Sequence, residues 1–293
     1  MEQALQAKVD ALAADRESGA SVLVQAAMTV LREARGLGVT QAAARALCAA
    51  QPGMAPVWNA ALAACAGDEW LDRFAARLAR APRALTRFGL EVLGPRPEVG
   101  AAPLRLVTLS GSGQVAGLVA ALAQAGPVQV ACSESRPALE GRALAGRLAA
   151  AGIPVTCFAD AALGHALAGA DAVLVGADAV APHWFRNKSG TRMLAALAMR
   201  EGVPCYVVAS RDKFLPPALL GHVEAAEGAP DDVWAHPPAG VTVRNPCFET
   251  TPLDLVTGLI TDAGLLPPEA AADVCLAIEA ELPPSAVLNL GLS

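Results

Sequence analysis

The sequence LRLVTLSGSGQVAGLVAALAQAGPVQVACS (residues 104–133) sets two short apolar runs on either side of a stretch with the apolar periodicity of a helix. The same alternation continues further along the chain. Apolar runs separated by single helices predict a parallel β-sheet that is covered on both faces. Such sheets bind ligands at the carboxyl ends of their strands. The predicted strands are residues 104–109, 128–133, 154–158, 172–176 and 205–210.

The residues before this region have a different pattern. From the start to about Gly94, the residues Ala, Leu, Val and Met recur at spacings of three and four, which predicts helices. GPRPEVGAAP (94–103) concentrates Pro and Gly and predicts a linker. We therefore expect a helical N-terminal domain over residues 1–94 and an α/β domain over residues 104–293. The final ELPPSAVLNLGLS (281–293) predicts a loosely ordered terminal arm.

Composition argues against several classes of function. The 293-residue chain has a net charge of −6, with 22 basic and 28 acidic residues and no basic run. It therefore lacks the electrostatic footprint of a protein that binds nucleic acid directly. Every apolar stretch is interrupted before the roughly 20 residues that span a bilayer, so we expect no membrane association. The N-terminal residues do not form a signal-peptide pattern, and we expect a cytoplasmic protein.

Cysteine usage argues against a metal centre. The seven cysteines are odd in number, widely spaced and mostly within apolar segments, with no CxxC pair. Because free cysteines are among the most buried residue types, we expect reduced, mostly buried thiols. Cys132, on a predicted strand close to the predicted ligand edge, is an alternative reactive thiol but fits the core better. We expect neither a metal nor a cofactor.

The loop after the first predicted strand has two interpretations. Residues 111–116 match GxGxxA, and Glu134 follows the next strand, as in a nicotinamide-dinucleotide site. The backbone amides of residues 111–113, at the start of a helix, would hold a simple phosphate equally well. The guanidinium of Arg136 beside this loop favours an anionic ligand over a neutral ribose.

Three long segments follow one another: SESRPALEGRALAGRLAAAGIPVTCFADAALGHALAGADAVLVGADAV (133–180), RNKSGTRMLAALAMREGVPCYVVASRDKF (186–214) and NPCFETTPLDLVTGLITDAGLLPP (245–268). In this order they resemble the signature segments of the initiation factor 2B α/β/δ family. That family also contains 5-methylthioribose-1-phosphate isomerase and ribose-1,5-bisphosphate isomerase. The resemblance implies a small helical domain followed by a Rossmann-like domain with a mostly parallel sheet, and a homodimer.

The resemblance also implies roles for individual residues. Asp178 matches the catalytic acid of the isomerases, and a carboxylate beside a bound sugar can shuttle protons between adjacent carbons. Capping of a loop is an alternative role for this aspartate. Asn187 and Lys188 match an NK pair whose lysine contacts the ligand phosphate. Arg136 matches the arginine of an RP motif, which has either a similar or a structural role.

Three positions depart from the isomerase pattern. Ser110 stands where the isomerases carry a catalytic cysteine, and a serine hydroxyl is hardly ionised at neutral pH without a partner base. Ser18, in the segment Ser18, Gly19 and Ala20, stands where they carry a phosphate-gripping arginine. Glu140 stands where they carry a glutamine. A lost guanidinium and a gained carboxylate make the pocket less favourable for a doubly charged phosphate.

The segment AVAPHWFR (179–186) contains bulky side chains where the family generally has a polar turn. His183, Trp184 and Phe185 are candidates to stack over a ligand base or sugar. Packing against a partner subunit is the alternative.

The main hypothesis is an initiation factor 2B-like protein that binds a small phosphorylated ribose derivative or a nucleotide, with optional or degenerate catalysis. The expected ligand contacts are Gly111, Ser112, Gly113, Arg136, Asp178, Asn187 and Lys188. One alternative is an active aldose–ketose isomerase of a ribose 1-phosphate derivative, with Asp178 as general acid/base and Ser110 or a water in place of the thiol. The others are a regulatory subunit that works through protein contacts and a nicotinamide enzyme.

Overall fold

The computed structural model describes residues 2–15, 18–94, 102–224 and 227–292. Before residue 95 the described chain forms helices only, as predicted. Their apolar positions face one shared core, and the mostly apolar fourth helix is buried along nearly its whole length. The helices are α1 (Gln3–Ala14), α2 (Ala20–Gly36), α3 (Thr40–Ala50), α4 (Ala55–Ala66) and α5 (Asp68–Leu93). Most of the predicted linker, residues 95–101, lies outside the described residues.

Strands and helices alternate after residue 103. In chain order the elements are β1 (Leu104–Thr108), α6 (Gly113–Ala125), β2 (Val128–Ser133), α7 (Glu140–Ala150), β3 (Val155–Phe158), β4 (Ala172–Val175), β5 (Ala179–Val180), β6 (Trp184–Lys188), α8 (Thr191–Glu201), β7 (Cys205–Val208), β8 (Phe248–Pro252), β9 (Gly258–Thr261), β10 (Gly264–Leu266), α9 (Ala271–Glu281) and α10 (Ser285–Leu290).

The main sheet has the strand order β10-β9-β7-β4-β1-β2-β3 in the described part of the chain. All neighbouring strands are parallel except β10, which runs antiparallel to β9. The central strand β4 is buried at every residue, as expected for a strand covered on both faces. The predicted α/β architecture is confirmed, and the five predicted strands correspond to β1, β2, β3, β4 and β7. The domain limits at residues 94 and 104 remain a prediction.

A small antiparallel sheet, with the strand order β5-β6-β8, lies beside the carboxyl end of β4. Its central strand contains Trp184 and Phe185, for which the sequence predicts stacking over a ligand or packing against a partner. That prediction is wrong for Phe185, which is fully buried in the core between sheet and helices. Trp184 packs partly buried against the helical core. Strand pairing places these rings because β6 bonds to neighbours on both sides.

The end of the chain packs on the N-terminal helices. Ala286 and Leu290 of α10 are buried in the same core as α3 and α4. The prediction of a loosely ordered terminal arm is therefore wrong for residues 285–290, because these two side chains anchor the short helix on the core of the N-terminal helices. Helix α4 also contacts the sheet edge, where the Asn59 side-chain amide donates to Asp212 O (2.7 Å) and Phe214 O (2.8 Å).

Close packing at Gly141 predicts a position-specific loss of stability. A Cβ at this residue, the second of α7, would lie 1.9 Å from Ser133 O and 2.6 Å from Ser135 Oγ. Gly141→Ala should therefore destabilise the fold by about 1–3 kcal/mol, the usual cost of overpacking. Gly146→Ala is the matched control, because this residue of the same helix has no neighbour within 4 Å of the added carbon.

The control should gain about 0.5–1 kcal/mol from the higher helix propensity of alanine. Urea unfolding followed by circular dichroism compares the two variants. Equal midpoints would contradict the close contact between α7 and the end of β2.

Candidate functional site

A cavity of about 600 Å³ lies at the carboxyl edge of the sheet. Segments that follow four adjacent strands, β7, β4, β1 and β2, reach it, together with the start of α2. This is the position at which parallel sheets bind ligands. The lining residues are Ser18, Gly19, Ala20, Ser21, Val22, Met54, Ser110, Gly111, Ser112, Gly113, Ala116, Ala138, Glu140, Ala143, Arg147, Ala177, Asp178, Asn187, Lys213 and Phe248.

The loop after β1 offers backbone amides to this cavity. Ser110 has φ of 67°, and its N–H donates to Ser135 Oγ at 2.9 Å. Ser112 caps α6 by accepting from Val115 N. The N–H groups of Gly111, before the cap, and Gly113, the first residue of α6, have no acceptor in the part of the chain that the structure describes. Such free amides, at the positive end of a helix, suit an anion.

Asp178 follows β4 and is fixed by its backbone. Its N–H donates to Arg186 O at 2.8 Å, and its carbonyl accepts from Ala55 N at 3.0 Å. Burial raises the pKa of the Asp178 carboxyl above its ordinary value, and the nearby cations Lys213 and Arg186 oppose this shift only in part. A carboxyl group with a raised pKa can donate a proton closer to neutral pH than an ordinary aspartic acid.

Lys213 is a cavity residue that the sequence interpretation did not single out. It ends the one-turn 3-10 helix Arg211–Lys213 after β7, and its side chain is only 3% exposed. Asn59 of α4 holds this turn through the carbonyls of Asp212 and Phe214. Burial lowers the pKa of the Lys213 ammonium, while Asp178 and Asp212 raise it. The position after a strand at the ligand edge was the available signal for this residue.

Asn187 and Lys188 lie on β6 and are both buried. Asn187 lines the cavity, and its side-chain amide donates to Thr191 Oγ1 at 3.0 Å. Lys188 lies behind the cavity wall, with its Nζ 2.7 Å from Glu140 Oε1. Lys188 therefore acts on the cavity indirectly, by neutralising the Glu140 carboxylate. It also lowers the pKa of Asp178, as the smallest of the charge effects on that carboxyl.

Glu140 begins α7 and has two different carboxylate oxygens. Oε1 pairs with Lys188 and lies 3.4 Å from Ser110 Oγ. Oε2 is buried and has no hydrogen-bond partner among the described residues. The carboxylate thus holds one unsatisfied acceptor that is closed off from solvent.

Ser18, Gly19 and Ala20 line the cavity, but Arg136 and His183, like Lys188, do not. Arg136 is exposed, with its Nε 3.6 Å from Glu134 Oε1. Its backbone N–H donates to Asp160 Oδ2 at 2.8 Å, which fixes the chain with this side chain outward. His183 is exposed at the start of β6 and contributes its carbonyl to Leu253 N. The structure therefore does not bring Arg136 or His183 to the cavity.

The cysteines are free thiols, as predicted. Cys48, Cys65, Cys132, Cys205 and Cys275 are buried, whereas Cys157 is exposed. Burial raises the pKa of the Cys132 thiol to about 12, so this thiol is protonated at neutral pH. No group of three or more His, Cys, Asp or Glu side chains within the described ranges is arranged to hold a metal ion. No described helix is both long and apolar enough to span a membrane.

Comparison with known proteins identifies relatives along most of the chain. The model of the initiation factor 2 subunit family matches residues 22–268. The chain is 38% identical over 151 residues to a ribose 1,5-bisphosphate isomerase of Archaeoglobus fulgidus, covering 49% of this chain and 47% of that protein. It is 39% identical over 170 residues to a methylthioribose-1-phosphate isomerase of Albidiferax ferrireducens, covering 54% and 48%. The chain spans about half the length of the curated relatives that it matches.

Solved structures resemble the fold over nearly its full extent. The translation initiation factor eIF-2B of Pyrococcus horikoshii has a TM-score of 0.78 and 25% identity, covering 92% of this chain and 98% of that one. A 5-methylthioribose 1-phosphate isomerase from the same organism has a TM-score of 0.68 at 23% identity, covering 94% and 88%. The second likeness bears on the fold alone.

The environment of Asp178 predicts an unusual titration. Its carboxyl carbon, observed by NMR after ¹³C labelling of aspartate and assigned with Asp178→Asn, should titrate above the ordinary pKa of about 3.9. Lys213→Met should raise the midpoint further, because Lys213 is the cation that lowers this pKa most. Lys8→Met, on α1 and paired with Glu33, is the control and should leave it unchanged. A midpoint at or below the ordinary value in the unsubstituted protein would contradict the role of burial.

Proposed function

The chain belongs to the initiation factor 2 subunit family, and from that premise we propose that it binds a sugar phosphate in the cavity and interconverts its aldose and ketose forms. The observation that carries this proposal is the position of Asp178. A carboxyl group with a raised pKa lines the same cavity as Lys213 and the amides of residues 111–113. The relatives named as ribose 1,5-bisphosphate and methylthioribose-1-phosphate isomerases support the reaction class.

The chemistry of this reaction needs an acid near the sugar ring. An aldose 1-phosphate becomes a ketose 1-phosphate when the ring opens, C2 loses a proton, C1 gains one, and the C2 hydroxyl becomes a carbonyl. Asp178 can donate a proton to the ring oxygen at the start, because its raised pKa keeps it protonated at higher pH. The carboxylate formed can accept the hydroxyl proton of C2 at the end. The proton transfer from C2 to C1 requires a second group.

Lys213 and the loop after β1 are suited to the phosphate. The N–H groups of Gly111 and Gly113 and the positive end of α6 provide neutral donors for its oxygens. Lys213 provides a buried positive charge after β7, on the other side of β4 from the loop after β1. A charge-assisted hydrogen bond is about twice as strong as a neutral one. Asn187 lines the same cavity and is a further neutral contact for the ligand.

Ligand binding without turnover is the second candidate function, and three residues favour it. Ser110 lacks the low pKa of a thiol, and Ser18 lines the cavity where the resemblance implies an arginine. Glu140 neutralises Lys188 with a 2.7 Å ion pair. This candidate retains the same ligand contacts but no proton transfer.

We also propose a homodimer, as the family resemblance implies, which light scattering of the purified chain would report as twice the monomer mass.

Ligand-dependent stability separates the phosphate contacts of the cavity from exposed cations. Methylthioribose 1-phosphate or ribose 1,5-bisphosphate at 100 times its Kd should stabilise the protein by about 2.7 kcal/mol. Lys213→Met should abolish the resulting rise in Tm, because it removes the buried ammonium. Arg136→Ala should keep the rise, since this side chain lies outside the cavity. Loss of the shift only in Arg136→Ala would place the phosphate elsewhere.

Substitution of Asp178 tests turnover itself. Asp178→Asn keeps the shape of the side chain but removes the transferable proton, so kcat for the aldose-to-ketose conversion should fall by about 10²–10⁴-fold. Calorimetry should show that Kd changes by less than about fivefold. The product is followed by NMR, with Arg136→Ala as a variant of unchanged kcat. Tight binding with no turnover of either compound by the unsubstituted protein would favour the second candidate.

A further inference from the structure

The cavity contains a second carboxylate that the sequence comparison identifies only as a departure from the isomerases. We propose that Glu140 carries the proton between C2 and C1 of the sugar, so that Asp178 and Glu140 form an acid–base pair of two carboxyl groups. This inference rests on the proposed isomerisation and assigns the group that the reaction still lacks.

The position of Glu140 fits this role. It lines the cavity together with Asp178, and the two carboxyl groups are close enough for the charge of Glu140 to affect Asp178. Its backbone is held tightly at the start of α7, where Gly141 touches Ser133 O. Gly111 allows the approach of Glu140 to the loop after β1, because a Cβ on Gly111 would lie 3.2 Å from the Glu140 Cβ.

The two oxygens of Glu140 have separate environments. Lys188 Nζ, at 2.7 Å, occupies Oε1 and provides the counter-charge of the carboxylate. Oε2 is buried without a partner in the described part of the chain. A buried acceptor without a donor is costly and rare in folded proteins. A rotation of the side chain toward the cavity that Glu140 lines would bring Oε2 to a ligand, which would supply the missing contact.

Neither the Ser110 hydroxyl nor the Cys132 thiol can replace this carboxylate as the base. Ser110 has a hydroxyl that is hardly ionised without a base, and the nearest base to its Oγ is Glu140 itself, at 3.4 Å. The Cys132 thiol is fully buried and does not line the cavity. Ser110 can therefore donate a hydrogen bond to Glu140 but cannot act as the base. The Glu140 carboxylate is the group that can accept a proton from carbon.

The complete cycle balances with these two groups. The Asp178 carboxyl donates its proton to the ring oxygen, and the bond between C1 and the ring oxygen breaks. The Glu140 carboxylate takes the C2 proton, and the electron pair of that bond forms the C1=C2 double bond of an enol phosphate. Glu140 then returns the proton to C1, while Asp178 recovers a proton from the C2 hydroxyl as the carbonyl forms. Both side chains end in their starting states, with no external oxidant or reductant.

Glu140→Gln and Ser110→Ala test the assignment. Glu140→Gln is nearly isosteric and removes both the basic oxygen and the charge opposite Lys188, so it should lower kcat by about 10²–10⁴-fold and abolish exchange of the C2 proton with D₂O. The Kd for methylthioribose 1-phosphate or ribose 1,5-bisphosphate should not rise, because this variant removes a negative charge from the cavity wall. Ser110→Ala should lower kcat by less than about tenfold. A Glu140→Gln enzyme with normal kcat, or an equal loss in both variants, would overturn the proposal.

A restored thiol provides an independent readout. Ser110→Cys in the Glu140→Gln background should recover at least about tenfold of the lost kcat, because a thiolate at this loop is the alternative proton carrier. If Glu140→Gln does not fold, Glu140→Asp retains the charge opposite Lys188 but withdraws the carboxylate by one methylene. It should then show the loss of kcat, and normal kcat would overturn the proposal. Absence of turnover by the unsubstituted protein would contradict the proposed isomerisation, whereas turnover that survives in Glu140→Gln contradicts only the role of Glu140.

Discussion

Burial of charge at the carboxyl edge of the sheet is the constraint on which the site depends. Asp178 and Lys213 are removed from most of the surrounding water and still carry ionisable groups, and each such group costs several kcal/mol unless it is compensated. The protein compensates them through each other, since Asp178 raises the pKa of Lys213 and Lys213 lowers that of Asp178. Arg186 also lowers the pKa of Asp178, and Asp212 also raises that of Lys213. The two side chains can meet because β4 and β7 are neighbouring strands.

Backbone contacts from both parts of the chain hold these charges in place. Ala55 of α4 donates to the carbonyl of Asp178, and Asn59 of the same helix fixes the turn that carries Lys213. The helical part therefore does more than cover the sheet. It closes one side of the cavity with the start of α2 and positions the two charged residues. The donor–acceptor distances of these hydrogen bonds are at most 3.0 Å. A change in the packing of α4 would therefore shift Asp178 and Lys213.

The strands and the first loop were predictable because their signals are local. Continuous apolar runs identify β1, β2, β3, β4 and β7, and the rule for parallel sheets then places Asp178 and residues 110–113 at one edge. The small sheet was not predictable in this way. Its strand β6 contains Arg186, Asn187 and Lys188, which are polar and nevertheless buried. Their burial depends on partners distant in sequence, such as Glu140 for Lys188.

Arg136 and Lys213 show why the sequence did not predict correctly which cations face the cavity. Arg136 stands in a motif associated with phosphate, yet Asp160 holds its backbone so that the side chain faces solvent. Lys213 follows a predicted strand, which indicates the ligand edge of the sheet but not whether the side chain is buried, and the hydrogen bonds of Asn59 hold its turn at the cavity. Strand order and long-range hydrogen bonds decide both cases, and neither is visible in a single sequence.

Proton transfer and anion binding are coupled in this cavity because Asp178 can be neutral or negative. Lys213 and Arg186 favour its ionised form, whereas burial and Glu140 favour its neutral form. A neutral Asp178 leaves one negative charge fewer in the cavity to oppose an anionic ligand. A bound phosphate repels a carboxylate and therefore favours the protonated form of Asp178 further. The same burial that keeps the Asp178 carboxyl protonated to higher pH thus prepares the cavity for an anionic substrate, and release of the product phosphate would restore the tendency of Asp178 to ionise.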